Sequence, residues 1–257
     1  MNTITSIIKR YLRERPYFYA YLRPQEALLF YERINKMRGP ILDFGCGDGF
    51  FASTFYRKKF IDVGIDLPSS RIGESLKTQV YIQITKYDGH VIPFASKTFG
   101  TIVSNCVFEH VPHIAKSMRE MYRVTKNDGL IMTTVMCTSW SNNLFGGKIF
   151  GKKYVNWFNK MQHHDSLLSK KEWIYLFSNA GFDVVESVDY LYEKAAHKIE
   201  LHHFLSVFSL FTYILFKKWR VFPFVLQGEI NEIKKLIAED KRNPSACFFV
   251  LKKVNSS

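Results

Sequence analysis

The stretch ILDFGCGDGFF at residues 41–51, read together with VGID at residues 63–66, decides the fold of this chain. An apolar run carries an acidic residue near its end and leads into a glycine-rich turn. An aromatic pair then starts a helix. A second apolar run closes on another carboxylate, Asp66. This is the layout of a strand, a tight loop and a helix that hold a nucleotide-like cofactor, with Asp66 placed to take ribose hydroxyls.

The glycines narrow the cofactor. Gly45, Gly47 and Gly49 give G-x-G-x-G, whereas a dinucleotide fingerprint wants glycine where Phe50 stands. No G-x-x-x-x-G-K-[ST] loop follows, which argues against an ATP phosphate site. What remains is a nucleoside without a phosphate. Asp43 is the candidate for a cationic amine. Asp66 would accept from both ribose hydroxyls as a charge-assisted pair. Asp88, in KYDG, is the candidate for an adenine amino group, although Asp-Gly is also a common turn pair.

Composition bounds the rest. The chain has 257 residues, is 47% hydrophobic and carries a formal charge of +13. That suits one domain with a decorated periphery, and it suggests an anionic partner or simply a lysine-rich surface. Cys46, Cys106, Cys137 and Cys247 form no C-x-x-C pair, so neither a zinc nor a redox motif is read from them. The opening MNTITSIIKRYLRERP lacks the apolar core of a signal peptide. A cytoplasmic location, at the inner face of a membrane, is the expectation.

Strands and helices alternate from residue 41 onward. Strands are expected at 41–44, 62–66, 79–85 (with Val80, Ile82 and Ile84 alternating), 100–106, 130–135, 182–188 and 246–252. Helices are expected at 50–58, 69–75, 114–125 and 168–180, the last stopped by Gly181. Asn127-Asp128-Gly129 reads as a turn. The rhythm argues for an α/β, doubly wound, mostly parallel seven-stranded sheet with helices on both faces. Residues 1–38 read as an N-terminal helical cap and 39–195 as the core. Within the core, 136–168 is a loop-rich, lid-like insertion. Residues 196–245 form an apolar and basic helical insertion before the final core strand and tail, 246–257. In that insertion, 203–216 is almost wholly apolar but shorter than the ~20 residues a bilayer span needs. Ser206, Ser209 and Thr212 stripe it, and Lys217, Lys218 and Arg220 follow.

Five segments together resemble class I S-adenosylmethionine-dependent methyltransferases of the broad small-molecule type. They are ILDFGCGDG (41–49), VGID (63–66), YDGHVIPF (87–94), FGTIVSNCVFEHVPH (99–113) and REMYRVTKNDGLIMTTV (119–135). KKEWIYLFSNAGFDVVE (170–186) matches more loosely. The resemblance implies a Rossmann-like sheet of six parallel strands and one antiparallel final strand, with S-adenosyl-L-methionine as cofactor. It implies cofactor contacts at Asp43, Gly45, Cys46, Gly47, Gly49, Asp66, Leu67, Asp88, Gly89 and Asn105. Two positions depart from the pattern. Gly100 replaces the usual acid, and His113 stands where Asp is common.

Transfer from a sulfonium needs no acid, but a hydroxyl nucleophile needs a base. His110 and His113 are the catalytic candidates, because they follow the strand end where the family's substrate approaches. His163 and His164 come second. Glu109 is weighed as catalytic or as a packing residue. His163, His164 and Asp165 lack helical ligand spacing and a visible third ligand, so no metal is expected. The acceptor is expected to be a small or lipid-linked molecule, a glycan intermediate or a quinone, with peripheral membrane contact through residues 201–226. An RNA or protein methyltransferase and a cofactor-binding scaffold without catalysis stay open, as does a homodimer. Ser104-Asn105-Cys106-Val107 lacks the Asn/Asp-Pro-Pro-Tyr of nucleobase amino-methyltransferases, and no RNA-binding module is visible.

Overall fold

The computed structural model describes residues 3–164, 166–220, 225–239 and 241–254. Asp165 and most of the second apolar run of the 201–226 segment lie outside them. Helices α1 (Thr3–Glu14) and α2 (Phe18–Tyr31) precede strand β1 (Ile41–Phe44). Short α3 (Phe50–Ser53), β2 (Ile61–Asp66), short α4 (Ile72–Ser75) and β3 (Tyr81–Lys86) follow. Then come β4 (Phe99–Asn105), α5 (Ile114–Val124) and β5 (Thr125–Met136). Helices α6 (Ser139–Asn142), α7 (Phe145–Met161) and α8 (Lys170–Asn179) lead to β6 (Phe182–Tyr190). Helices α9 (Glu193–Leu205), α10 (Val207–Phe216) and α11 (Gln227–Glu239) lead to β7 (Ala246–Lys253).

The seven strands form one sheet in the order β3-β2-β1-β4-β5-β7-β6. All neighbours are parallel except β7, which runs antiparallel to both β5 and β6. Both faces are covered, which is why the central strands read as unbroken apolar runs. Ile41, Val103, Met132, Phe248 and Val250 face one core with residues of α1, α2, α9 and α11. Leu42, Phe44, Ile102, Ile131 and Phe249 face the other, with Met118 and Met121 of α5 and Trp173 and Phe177 of α8. The strand order reverses at β1/β4, which opens a crevice at their carboxyl ends.

Four expectations are corrected. The helix at 50–58 closes after Ser53. In β3 the alternation holds only in part: Val80 is buried and Ile84 packs against the core as expected, but Ile82 is 58% exposed and Tyr81 is buried. Tyr81 turns inward because its hydroxyl has a buried carboxylate to meet, as described below. The segment 136–168 is largely helical. Gly146 and Gly147 sit in the first turn of α7, where Glu200 of α9 accepts from the Phe145 and Gly146 amides at 2.6 and 2.9 Å, and Gly151, with φ 70°, kinks the helix further on. A carboxylate on otherwise unpaired amides is a good helix start. Residues 127–129 are not a free turn but a bulge inside β5, between the pairs Phe99↔Thr125 and Thr101↔Leu130.

The departure at Gly100 has a steric cause. A Cβ there would lie 2.6 Å from the Arg38 carbonyl oxygen and 2.9 Å from that of Gly39. The connection from the helical cap crosses the start of β4 too closely for any side chain. Gly100→Asp is therefore expected to destabilise the fold by roughly 1–3 kcal/mol, the usual range for overpacking. Chemical denaturation measures this. An unchanged midpoint would show that the connection is free to move.

Candidate functional site

The crevice is built around the glycine loop. Gly45, Gly47 and Gly49 all have positive φ, at 80°, 55° and 74°. The Gly45 and Cys46 amides donate to the Ile65 carbonyl at 2.9 and 3.1 Å. A Cβ on Gly45 would meet Val107 at 2.4 Å, so the loop lies directly against the turn after β4. Asp66 holds the loop from the side: its Oδ2 accepts from Gly47 N–H at 2.6 Å and its Oδ1 from Leu67 N–H at 2.7 Å. Each oxygen keeps a second lone pair for an incoming donor.

Asp43 sits beneath the loop, 8% exposed, and accepts from the Tyr81 hydroxyl at 2.7 Å. Burial pushes its carboxyl up to about 7, against the pull of the Tyr81 bond, with help from the charge of Asp66. Asp88 is exposed and closes its own turn, Oδ1 accepting from the His90 and Val91 amides at 2.8 and 3.0 Å. Those bonds hold its carboxyl below the usual range. Gly89, beside it, has φ 87° and lines a cavity.

The helical cap reaches the site through charges that sequence reading passed over. Arg15 and Arg71 clamp Asp48 of the loop at 2.7 and 2.6 Å. Glu26 of α2 is fully buried. Its Oε2 accepts from Arg23 at 2.7 Å and from the Asn105 amide at 3.0 Å. Its Oε1 accepts from the Tyr190 hydroxyl at 3.0 Å and the Cys106 thiol at 3.1 Å. Asn105 is thereby committed, since its Oδ1 also accepts from Thr134 at 2.8 Å. One Nδ2 hydrogen is left for a ligand. The available signal was Arg23-x-x-Glu26, a charged pair three apart in a helix otherwise rich in Tyr, Leu, Ala and Phe.

Three cavities meet at Arg23. One of 360 Å³ lies between the cap and the loop, against Asp43, Gly47 and Asp48. One of 410 Å³ lies on the other side of Gly45, walled by Asp66, Leu67, Tyr87, Gly89, Val107 and His110. The third, of 210 Å³, is walled by Glu109, His110, Trp140, His164 and His203. Beyond its bond to Glu26, the Arg23 guanidinium has no hydrogen-bond partner among the described residues.

His110 is on the wall of two of these cavities. Its Nδ1 is 2.8 Å from the His163 carbonyl oxygen, which can only accept. The neutral ring therefore carries its proton on Nδ1 and offers Nε2 as an acceptor. The site does not gather His113. It stands exposed at the start of α5 and lines none of these three cavities. His163 is also exposed and contributes its carbonyl, whereas His164 lies against His110, with ring centroids 5.3 Å apart.

The arrangement fits an adenosyl amino acid. The larger cavity offers a carboxylate for a diol and apolar walls for a base. The cavity across Gly45 offers carboxylates for an amine and free guanidinium hydrogens for a carboxylate. A family model for the methyltransferase domain matches residues 11–187, and the chain belongs to that family. An uncharacterized methyltransferase from Mycobacterium sp. (strain KMS) is 34% identical over 107 residues, which is 42% of this chain and 41% of that protein. A malonyl-[acyl-carrier protein] O-methyltransferase from Legionella pneumophila is 31% identical over 102 residues, 37% of this chain and 36% of that protein. The matches thus span about two fifths of those relatives' length. The fold is shared with Haemonchus contortus phospholethanolamine N-methyltransferase 2, solved with S-adenosylhomocysteine. The TM-score is 0.58 at 17% identity, over 90% of this chain and 53% of that one. S-adenosyl-L-methionine is the cofactor of this class I fold.

Asp43 gives the site a pH signature. With its carboxyl raised to about 7 from 3.8, the folded protein binds a proton that the unfolded chain has released between those values. Stability then falls as pH rises through that window, by at most ~1.4 kcal/mol per unit, and is level above it. Asp43→Asn should therefore stabilise the protein at pH 8 more than at pH 5 in urea denaturation. A loss of stability at pH 8 would show that the ionised carboxylate is the favoured native form.

Proposed function

We propose that this member of the methyltransferase family transfers the methyl group of S-adenosylmethionine to a small-molecule acceptor, one that is lipid-linked and reached at a membrane face. The meeting of three cavities at Arg23, with Asp66 and the glycine loop on one side and His110 on the other, carries this reading. The bound cofactor would supply a methyl group activated by the positive charge of its sulfonium. Asp66 would take the ribose diol, Asp43 the amine and Arg23 the carboxylate. Leu67, Tyr87 and Val107 offer apolar walls for the base, and Gly89 lets the chain approach it. Burial keeps the Glu26 carboxylate out of water beside the point where the cavities meet. His110 Nε2 is the acceptor for a hydroxyl proton. The sequence candidate His113 has no part in this scheme.

The membrane part rests on surface chemistry. Helix α10 is apolar on every side and has no buried residue. Phe208 is 76% exposed, Phe211 61% and Ile214 60%. The patch continues onto α7 through Phe150 and Trp157, and Trp157 stacks on Phe204 of α9 with ring centroids 6.1 Å apart. The hydroxyl stripe does not make α10 amphipathic. Ser206 and Thr212 donate back to the His202 and Ser209 carbonyls. Lys217 and Lys218 end the helix, and Arg220 bonds back to the Leu12 carbonyl. An exposed apolar face with a basic edge is the composition of an interfacial helix. No single helix among the described residues is long and apolar enough to cross a membrane. The α9–α10 pair passes only when taken together across a 47° bend.

Two measurements test the halves separately. Asp66→Ala should weaken S-adenosylhomocysteine binding in calorimetry by on the order of 10–100-fold, the worth of a charge-assisted pair. Near-normal affinity would remove the cofactor assignment. Phe208→Asp with Phe211→Asp should abolish co-sedimentation with vesicles containing anionic phosphatidylglycerol while leaving that affinity intact. Retained sedimentation would remove the membrane reading alone.

A further inference from the structure

The 210 Å³ cavity carries polar chemistry that the fold does not use. Among the described residues, five buried side-chain atoms belonging to its walls have no hydrogen-bond partner. They are Glu109 Oε2, Trp140 Nε1, Gln162 Oε1, His164 Nδ1 and His203 Nδ1. Glu109 and Trp140 are almost completely buried, at 0% and 1% exposure. One such orphan can be a local accident. Five around one cavity next to a reactive site point to a ligand that supplies the missing partners.

We propose that this cavity binds the methyl acceptor, and that the acceptor's bound portion is a hydroxyl-rich ring the size of one monosaccharide. The inference rests on the methyl-transfer reading above and names its substrate class. The donor and acceptor inventory decides the chemistry. Glu109 and Gln162 offer oxygens that need donors, so a carboxylate or phosphate guest would leave them unmet. Trp140 offers an N–H that needs an acceptor, so an ammonium guest would leave it unmet. Each neutral imidazole serves as donor or acceptor according to tautomer. A hydroxyl both donates and accepts, and a ring bearing several hydroxyls satisfies such a mixed wall.

The histidines are neutral for a physical reason. Burial lowers both, His164 to about 3 with the charge of His110 adding to the effect. Burial also raises the Glu109 carboxyl above its usual value, against the pull of the His110 charge. Its Oε1 is anchored by the Met136 amide at 3.3 Å, which leaves Oε2 unpaired. Phe18, Tyr19, Trp140 and Ile199 give flat apolar walls suited to the C–H faces of a sugar. The volume corresponds to about seven waters, one ring rather than two. The cavity shares Arg23, Cys106 and His110 with the 410 Å³ cavity, so a guest here lies beside the cofactor. Its wall includes Ile199 and His203 of α9, the helix that leads into exposed α10. A sugar carried on a lipid would arrive from that side.

The test is saturation-transfer NMR on the full chain with saturating S-adenosylhomocysteine. The probes are glucose, galactose, mannose and N-acetylglucosamine, with benzoate and catechol as planar controls. At least one sugar should bind, more tightly than either control. Glu109→Gln should weaken that sugar at least 10-fold and leave S-adenosylhomocysteine affinity within about twofold. Trp140→Phe removes the N–H together with part of the ring, and Gln162→Ala removes the amide at the cavity edge. Each should weaken the same sugar, which keeps the test valid should Glu109→Gln fail to fold. Tight binding of catechol or benzoate in place of sugars would overturn the proposal, and so would sugar binding that none of the three substitutions weakens. If S-adenosylhomocysteine binds and no sugar does, the proposal falls and the cofactor reading stands. If S-adenosylhomocysteine itself does not bind, the methyl-transfer reading falls.

Discussion

The buried carboxylate of Glu26 is the constraint around which the site is arranged. A charge without water is tolerable only when its lone pairs are filled by donors. Glu26 meets that demand with Arg23 from its own helix, Asn105 and Cys106 from the end of β4, and Tyr190 from the end of β6. Satisfying one carboxylate therefore fixes α2 against the carboxyl edge of the sheet. The same bonds turn Arg23 toward the junction of the three cavities and commit the amide of Asn105. A purely apolar contact could hold the helix as tightly but would not set its rotation, because hydrophobic burial has no direction.

The second structural consequence is that the 410 and 210 Å³ cavities share walls. Gly45 separates the two halves of the cofactor crevice, and its missing side chain is what lets Val107 close against it. His110 lines both cavities. Helix α9 links the smaller cavity to the exposed apolar surface. Glu200 on α9 caps α7, and His202 stacks on Tyr17 and Tyr21 of the cap.

Legibility followed sequence distance. The loop from Asp43 to Gly49, the carboxylate of Asp66 and the alternating β and α pattern lie in short contiguous stretches, and all were readable there. The Gly181 stop was readable because a left-handed residue after a helix is a local requirement, and its φ is 88°. The inward turn of Tyr81 was not readable, because the buried Asp43 that its hydroxyl meets lies far away in the chain. The helices at 136–168 were missed because glycines and polar aromatics suggest a loop when Glu200, which caps α7, is not in view.

The sequence by itself determined the sheet, the glycine loop and the carboxylate that closes β2, because strand periodicity, turn geometry and a carboxylate at a strand end are all set by near neighbours. Tertiary structure alone decided which ionisable groups lost their water. Glu26, Glu109 and His164 have ordinary local surroundings and extraordinary spatial ones, and it placed exposed His110 on the cavity wall while leaving His113 off it. Desolvation depends on everything packed around a group, from every part of the chain, and no window of sequence contains that information.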